Sequence, residues 1–267
     1  MPSDMVIDVT AGFSGDVLPP VSIDDATHRI LAYCARPLSG WAVYDLAGMA
    51  ARAAGQLDQV TAWSLLYVNA LNGRVDIKEV AAFNHDLRRD FANLISEVPE
   101  NTDLHAMAEV DIAAVVRACQ FGFRGAWAPK MTKLGALYRP HAIPVLDGHV
   151  AMAFGFAGDA FTNGARRHGL SRDQRIDSVV RALARYLRDH RAQVAELRAR
   201  TTPIVTELAM TTDLRLLDMV VWTAQDDRTP DRRVSQGPRW RDRKVGVPTS
   251  YEDLAPVPLA ASSTAVP

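Results

Sequence analysis

Cysteine is scarce in this sequence of 267 residues, which contains only Cys34 and Cys119. Because the two lie far apart among apolar residues, neither a disulfide framework nor a zinc or iron–sulfur site can be built from cysteines alone. The histidines add no compact ligand spacing, since His141, Asp147 and His149 are spread over a segment with two prolines. We therefore predict no metal, no other cofactor and a reducing, cytoplasmic setting.

Long apolar runs are lacking as well. No uninterrupted apolar stretch reaches the length of about 18 residues that a membrane span needs. The first residues, MPSDMVIDVTAGFSGD, hold no basic region followed by an apolar run. We therefore expect neither secretion nor contact with a membrane.

Alternation with a period of two residues, the signature of strands, is also hard to find. Apolar residues instead recur at steps of three and four through most of the chain, which predicts an all-α fold. The pattern places helices over residues 22–36, 58–73, 75–99, 109 to 122 or 125, 130–138, 171–201 and 213–225. Residues 226–267 mix Pro, Arg and Ser and are predicted to form an irregular basic tail, so that residues 1–225 make the folded domain.

Acidic residues are missing altogether from Ile112 to Leu146. The first 111 residues carry 16 acids against 7 Lys and Arg, whereas the remaining 156 carry 15 acids against 23. A basic stretch of this kind predicts a surface that faces phosphate. The alternative is that the acidic part of the chain folds against the basic part and neutralises it.

The residues that most suggest a chemical function lie in Gly125–Gly155, GAWAPKMTKLGALYRPHAIPVLDGHVAMAFG. A turn ending in Pro-Lys leads into a short helix, an Arg-Pro break, an extended stretch, and an Asp that opens an apolar helix. Pro140 cannot continue the preceding helix and Pro144 keeps its neighbour extended, so the lead into Asp147 is stiff. This pattern predicts a fixed carboxylate at Asp147, which as an ordinary N-cap would need no further role.

This order resembles the helix-hairpin-helix DNA glycosylase superfamily, in which a Gly-Val-Gly-Pro-Lys-x-Ala hairpin precedes Pro-Val-Asp-x-His-Val. The second motif is matched by Pro144-Val145, one extra residue, and Asp147-Gly148-His149-Val150. The first is matched by the Pro-Lys of Ala126–Lys130, with alanine at both hairpin glycines, which weakens the expected phosphate grip. The Arg-Pro, Ile-Pro and Asp of residues 139–147 also resemble an uncharacterised family of all-α proteins.

The resemblance implies a two-lobed helical bundle, with an acidic N-terminal and a basic C-terminal part, that removes an altered base from double-stranded DNA. The base would be flipped out of the duplex, and a bulky modified base of viral DNA, with a defence role, is one such substrate. Asp147 would stabilise positive charge on the sugar, and Lys130 would attack C1′, or water would do so in its place. His149 would brace the Asp helix, with Lys133 as a second supporting residue.

The resemblance and the basic stretch also assign a DNA surface and a base pocket. The DNA-binding residues are expected to be Arg124, Trp127, Lys133, Arg139, Arg166 and Arg167. The base pocket is expected among the nearby aromatic residues Phe121, Phe123 and Tyr138. Two other functions stay open at this point: a non-catalytic DNA-binding module on the same scaffold, and an interaction protein whose acidic N-terminal part receives a partner.

Overall fold

The computed structural model describes residues 6–7, 21–36, 40–162 and 170–228. Within these ranges the predicted all-α character is confirmed: helices dominate, and one antiparallel pair of two-residue strands joins β1 (Val6–Ile7) to β2 (Val21–Ser22). The α-helices are α1 (Ile23–Ala35), α2 (Leu46–Ala53), α3 (Ile77–Phe83), α4 (Asp86–Glu97), α5 (Glu109–Gln120), α6 (Ala128–Tyr138), α7 (Gly148–Ala153), α8 (Arg172–Asp189), α9 (Arg191–Thr201) and α10 (Asp213–Arg228).

Helix starts follow the local signals closely. Ser22 caps α1, its Oγ accepting from the backbone N–H of Asp25 at 3.1 Å. Ser171 and Gln174 form a capping box at the start of α8. In both places a short polar side chain satisfies a backbone donor that the first helical turn leaves unpaired, which is why these boundaries are readable in the sequence.

Three predicted helices take a different form. Residues 58–73 contain a 3-10 helix, Trp63–Leu71, rather than an α-helix, and Thr61 and Ser64 hydrogen-bond locally at its start. The helix expected over 75–99 is broken between α3 and α4, where His85 has a φ of 57°. The long helix from residue 171 divides at His190, whose backbone N–H and ring both meet the carbonyl of Tyr186.

The apolar core runs through the helices that carry the Gly125–Gly155 segment. Met131 and Leu134 on α6 are fully buried, and so are Leu216 and Met219 on α10. Helix α10 packs against α7 and α1, while α6 packs against α5 and the 3-10 helix at 63–71. The lead into Asp147 therefore follows a helix, α6, that is built into the core.

Ion pairs join the acidic first part of the chain to the basic second part. They connect Arg117 with Glu97, Lys130 with Glu79, Arg181 with Glu109, Arg200 with Asp24, and Arg215 with Asp45. Much of the charge asymmetry is thus neutralised inside the molecule, as the alternative interpretation of the basic stretch required. The tail predicted for 226–267 lies outside the described residues beyond Arg228, where α10 ends.

Candidate functional site

The lead into Asp147 is held at several points along its length. After α6 ends, the backbone N–H groups of Ala142 and Ile143 both donate to the carbonyl of Arg139, at 3.1 and 2.9 Å. The N–H of Leu146 donates to Thr132 Oγ1 on α6 at 3.0 Å. The extended segment is therefore fastened to the helix before it, and the position of the Asp147 side chain is fixed by the backbone.

Asp147 is the N-cap of α7, as its position before an apolar helix predicts. Its Oδ1 accepts from the backbone N–H groups of His149 and Val150, at 3.0 and 3.2 Å. Only 9% of the residue is exposed. Capping uses one carboxylate oxygen, and the other, Oδ2, is left to face the rest of the site.

The side chain facing Asp147 belongs to Lys133. Its Nζ lies 3.8 Å from Asp147 Oδ2 and donates to the carbonyl of Leu71 at 2.7 Å. The Lys133 side chain is 8% exposed, and this burial lowers the pKa of its amine, against the opposing charge of Asp147. With this burial Lys133 is not part of an exposed surface, where the DNA-binding assignment places it.

Lys130 lies one helical turn earlier and meets a different acid. Its Nζ is 2.5 Å from Glu79 Oε1 and 3.1 Å from the carbonyl of Arg74. The lysine that shares a site with Asp147 is therefore Lys133, and this replaces the assignment of Lys130 that followed from the motif.

The turn between α5 and α6 is a short hairpin closed against the same glutamate. Phe123 and Ala126 exchange two backbone hydrogen bonds of 3.0 Å, and Gly125 adopts a φ of 98°. A Cβ at Gly125 would lie 2.9 Å from Glu79 Oε1. Glu79 is thus packed against the hairpin, where the resemblance predicts a DNA phosphate, and a fixed carboxylate there disfavours a second anion.

A second group of charges lies on α10. Arg215 donates to both carboxylate oxygens of Asp45 at 2.8 Å and to the hydroxyl of Tyr33 at 3.1 Å, and it also pairs with Asp218. Its guanidinium carbon lies 5.7 Å from the ring centroids of Tyr33 and Tyr44. Tyr44 in turn donates its hydroxyl hydrogen to the carbonyl of Lys133. Tyr44 therefore contacts both Arg215 on α10 and the backbone of Lys133, which faces Asp147.

The carboxyl of Asp218 has a pKa well above that of an ordinary Asp. Burial raises its pKa to about 6; the charge of Arg215 opposes this shift and the charge of Asp147 adds to it. An Asp that titrates near neutrality can exist as the acid or the base at the pH of a cell. We call Lys133, Asp147, Asp45, Arg215 and Asp218 together the buried charge cluster.

A cleft of about 560 Å³ opens onto this cluster. It is lined by Tyr44, Asp45, Arg215 and Asp218, and also by Pro144 and Val145 of the lead into Asp147. Lys133 and Asp147 do not themselves line it. Concave sites of this size with a few buried polar groups are where small molecules bind.

Three further arginines line the cleft: Arg52, Arg88 and Arg139. Each is anchored by a backbone carbonyl, that of Leu137 at 2.6 Å, Val60 at 3.1 Å and Val98 at 3.0 Å respectively. Within the described ranges none of the three is paired with a carboxylate. Their remaining N–H donors can therefore bind an anion, although Asp58 and Glu100 also line the cleft and reduce its positive charge.

The other predicted site residues are dispersed. Tyr138 and Arg139 line the cleft. Phe121 and Phe123 do not, because they pack in the interior against Phe91 and Phe83, with ring centroids 5.2 and 5.8 Å apart. Of the three aromatic residues expected in a base pocket, Tyr138 is therefore the one that lines the cleft.

The remaining DNA-binding and supporting residues lie away from the cleft lining. Arg124 is exposed, and the ring of Trp127 lies 5.1 Å from the guanidinium carbon of Arg172. Arg166 and Arg167 fall outside the described residues. His149 lies 3.5 Å from a carboxylate oxygen of Asp226 and packs on Trp222, so it contacts α10 rather than the cleft.

Sequence reasoning missed Asp45, Arg215 and Asp218. The signal for the last two was present, because an Arg and an Asp three residues apart stand alone in the apolar run LRLLDMVV. Charges in such a run are seldom buried unless they are paired, so this spacing predicts a buried ion pair on one helix face. Asp45 has no comparable local signal.

Fold and site together define a helical protein in which a cleft reaches a buried cluster of acids and cations. The chain belongs to the family of unknown function DUF6308, whose sequence profile matches residues 26–225. No curated protein and no solved structure matches the chain. Across the described ranges, no helix is long and apolar enough to cross a membrane, and no group of three or more His, Cys, Asp or Glu could hold a metal ion.

Proposed function

We propose that the protein is a DNA glycosylase that binds a modified base in the cleft and cleaves its N-glycosidic bond. Because Asp147 and Lys133 do not line the cleft, the proposal requires DNA binding to widen it as far as Asp147, two residues beyond the lining residue Val145. The observation that carries this proposal is the pair formed by Asp147 and Lys133, a buried carboxylate 3.8 Å from a buried amine at the start of α7. Two helices joined by a hairpin precede Asp147, and Lys133 lies on the second of them, in the order that the superfamily uses. The two-lobed glycosylase architecture belongs to the same proposal.

The chemistry follows from what each group can do for a departing base. Loss of the base leaves positive charge on the sugar, and a carboxylate fixed by its backbone stabilises that charge without reorganising. An amine with a lowered pKa supplies a neutral nucleophile more readily than an exposed lysine does. Lys133 would form the bond to C1′ as the base leaves with its electron pair, and Asp147 would accept the proton that the amine loses. Where water attacks instead, Asp147 accepts the proton of water.

The cleft suits the class of substrate. Its volume of about 560 Å³ falls in the range that holds a drug-sized ligand, about 300–1,000 Å³, and exceeds what a bare base fills. Tyr138 offers a ring wall, and Arg52, Arg88 and Arg139 offer donors to the phosphates that flank a flipped nucleotide. We therefore propose a bulky modified base, such as those of viral DNA, as the substrate, and defence as the setting.

The test is to incubate the purified protein with duplex DNA carrying normal, damaged or hypermodified bases, and to measure abasic sites by alkali cleavage. We expect release of a bulky base, with a loss of about 100-fold or more in Asp147→Asn. Asp76→Asn is the matched control, because Asp76 also caps a helix, α3, away from the cleft. Activity that survives in Asp147→Asn, or no release from any DNA, would refute the proposal.

The nucleophile is decided by borohydride trapping of a covalent complex with DNA. If Lys133 attacks, the trapped complex forms with wild type and with Lys130→Met, and is lost in Lys133→Met. If water attacks, no complex is trapped although bases are released. If the complex is lost only in Lys130→Met, the nucleophile is Lys130, although Glu79 neutralises this lysine in the structure.

Salt-dependent DNA binding without base release would instead support the second candidate, a non-catalytic DNA-binding module. The observation that favours it is the anchoring of Arg52, Arg88 and Arg139 by carbonyls rather than carboxylates. The same incubation decides between the two functions.

A further inference from the structure

Asp218 is the acid of the buried charge cluster that a molecule in the cleft can reach. It lines the cleft, and its side chain is 9% exposed. Its Oδ2 pairs with Arg215, whereas its Oδ1 has no hydrogen-bond partner among the described residues and is not one of the fully buried unpaired atoms. Asp45 also lines the cleft, but Arg215 donates to both of its oxygens.

The charges of the cluster do not balance when every group is ionised. Three carboxylates, those of Asp45, Asp147 and Asp218, stand against the two cations Lys133 and Arg215. A buried cluster with one excess negative charge favours a proton on one of its acids. Burial raises the pKa of Asp218, with the charge of Arg215 opposing this shift and the charge of Asp147 adding to it, so Asp218 can hold this proton near neutral pH.

The same conclusion holds when every element around Asp218 is considered. The ionisable groups that face it are Arg215 on its own helix, Tyr33 on α1, Asp45 and Tyr44 on the π-helical turn Trp41–Asp45, Lys133 on α6 and Asp147 at the start of α7. Burial raises the pKa of both tyrosines, so they stay neutral. No other cation among these groups replaces the missing charge.

We propose that Asp218 is the general acid that protonates the departing base. This inference rests on the proposed glycosylase function and adds a catalytic residue to it. The C1′–N bond breaks and its electron pair goes to the base, while the proton of the Asp218 carboxyl goes to a ring nitrogen or carbonyl oxygen of that base. Lys133 or water forms the new bond to C1′, its proton passes to Asp147, and Asp218 is reprotonated from solvent through the cleft.

Two separate acids are needed because the two ends of the reaction need opposite protonation states. Asp147 must be ionised to stabilise the sugar cation, and Asp218 must be protonated to neutralise a base that would otherwise leave as an anion. Asp147 keeps one oxygen on two backbone donors and the other beside Lys133, an environment made for a carboxylate. Asp218 faces the cleft where the base is placed.

The test is the pH dependence of single-turnover base release by wild type, Asp218→Asn and the control Asp90→Asn. Asp90 is an exposed acid on α4 that does not line the cleft. We expect the rate of wild type and of Asp90→Asn to fall as pH rises above about 6, since the acid form of Asp218 is lost. We expect Asp218→Asn to be about 100-fold slower or more at pH 6 and to lack this fall.

A second readout separates acid catalysis from a structural role. In a series of bases that differ only in an electron-withdrawing substituent, the rate of Asp218→Asn should rise more steeply with the acidity of the leaving base than that of wild type. A merely structural defect slows every base alike. The acid role is refuted if Asp218→Asn releases the base at the wild-type rate, if its rate still falls above pH 6, or if its rate depends on the acidity of the leaving base as that of wild type does. In each of these cases the glycosylase function stands. If wild type releases no base, both are refuted.

Discussion

Replacing Arg215 with Met tests whether the buried charge cluster holds the described fold together. The guanidinium makes two hydrogen bonds of 2.8 Å to Asp45, pairs with Asp218, and donates to the hydroxyl of Tyr33 at 3.1 Å. Methionine fills part of the same volume between the two tyrosine rings but removes every donor. Two carboxylates, with side chains 6% and 9% exposed, then lose the guanidinium that pairs with both of them.

The expected cost follows from the state that the substitution leaves behind. Removing one partner of a buried ion pair costs about 3–5 kcal/mol, chiefly because the other charge stays buried without compensation. Loss of the contacts with the faces of Tyr33 and Tyr44 adds about 1 kcal/mol. We therefore expect the free energy of unfolding to fall by about 4–6 kcal/mol at pH 7. Because the stranded acids can take up protons, the loss should be smaller at pH 5.

The assay is urea unfolding of wild type, Arg215→Met and Arg181→Met at pH 7 and pH 5. Arg181 is the matched control, an arginine with two acidic partners, Asp177 and Glu109, at the surface. Its loss should cost no more than about 1 kcal/mol at either pH. If the two variants lost equal stability, or if Arg215→Met lost as much at pH 5 as at pH 7, the argument from uncompensated buried charge would be refuted.

Three further predictions concern the same residues and their surroundings. The folded pKa of Asp218, about 6, lies above its ordinary value of 3.8. The free energy of unfolding of wild type should therefore rise by about 1 kcal/mol from pH 7 to pH 5 relative to that of Asp218→Asn. If the free energy of unfolding changed equally with pH in both proteins, this prediction would be wrong. Gly125→Ala should lower stability by about 1–2 kcal/mol in thermal unfolding, because φ is 98° and the new methyl meets Glu79, whereas Gly158→Ala, with its nearest contact at 3.7 Å, should not. Asp147→Ala should cost about 1 kcal/mol more than Asp147→Asn, since only Asn keeps an acceptor for the cap, and equal unfolding midpoints in urea would exclude that role.

Local chemistry made much of the helical fold predictable. Ser22 and Ser171 mark helix starts because each is followed by an amphipathic run and can accept from the first helical turn. The break between α3 and α4 was not predictable in this way, because the apolar spacing continues across it from Phe83 to Leu87. His85 lies between the two helices with a positive φ, which this apolar spacing does not indicate.

The residues of the site also include some that the sequence predicts and some that it does not. Asp147 could be predicted because its role as a cap depends on residues beside it in the chain, and its stiff lead is encoded by Pro140 and Pro144. Asp45 could not, because its partner Arg215 lies 170 positions away and nothing in the sequence around Asp45 indicates it. The two aromatic residues expected in a pocket, Phe121 and Phe123, were equally able to fill the core, and composition does not distinguish those outcomes.

The two lysines of α6 illustrate where sequence reasoning stops. Lys130 and Lys133 are one turn apart on one helix, so both fit a motif that asks for an amine before Asp147, and alignment with the hairpin favours the first. The choice is made by α3, which brings Glu79 against the hairpin and neutralises Lys130 at 2.5 Å. The side chain of Lys133, 8% exposed against 20% for Lys130, is left as the amine beside Asp147. An amine becomes a nucleophile by losing its proton, and burial lowers the pKa of Lys133. Under the proposed function, the helix that carries Glu79, 51 residues before Lys130, therefore decides which lysine acts.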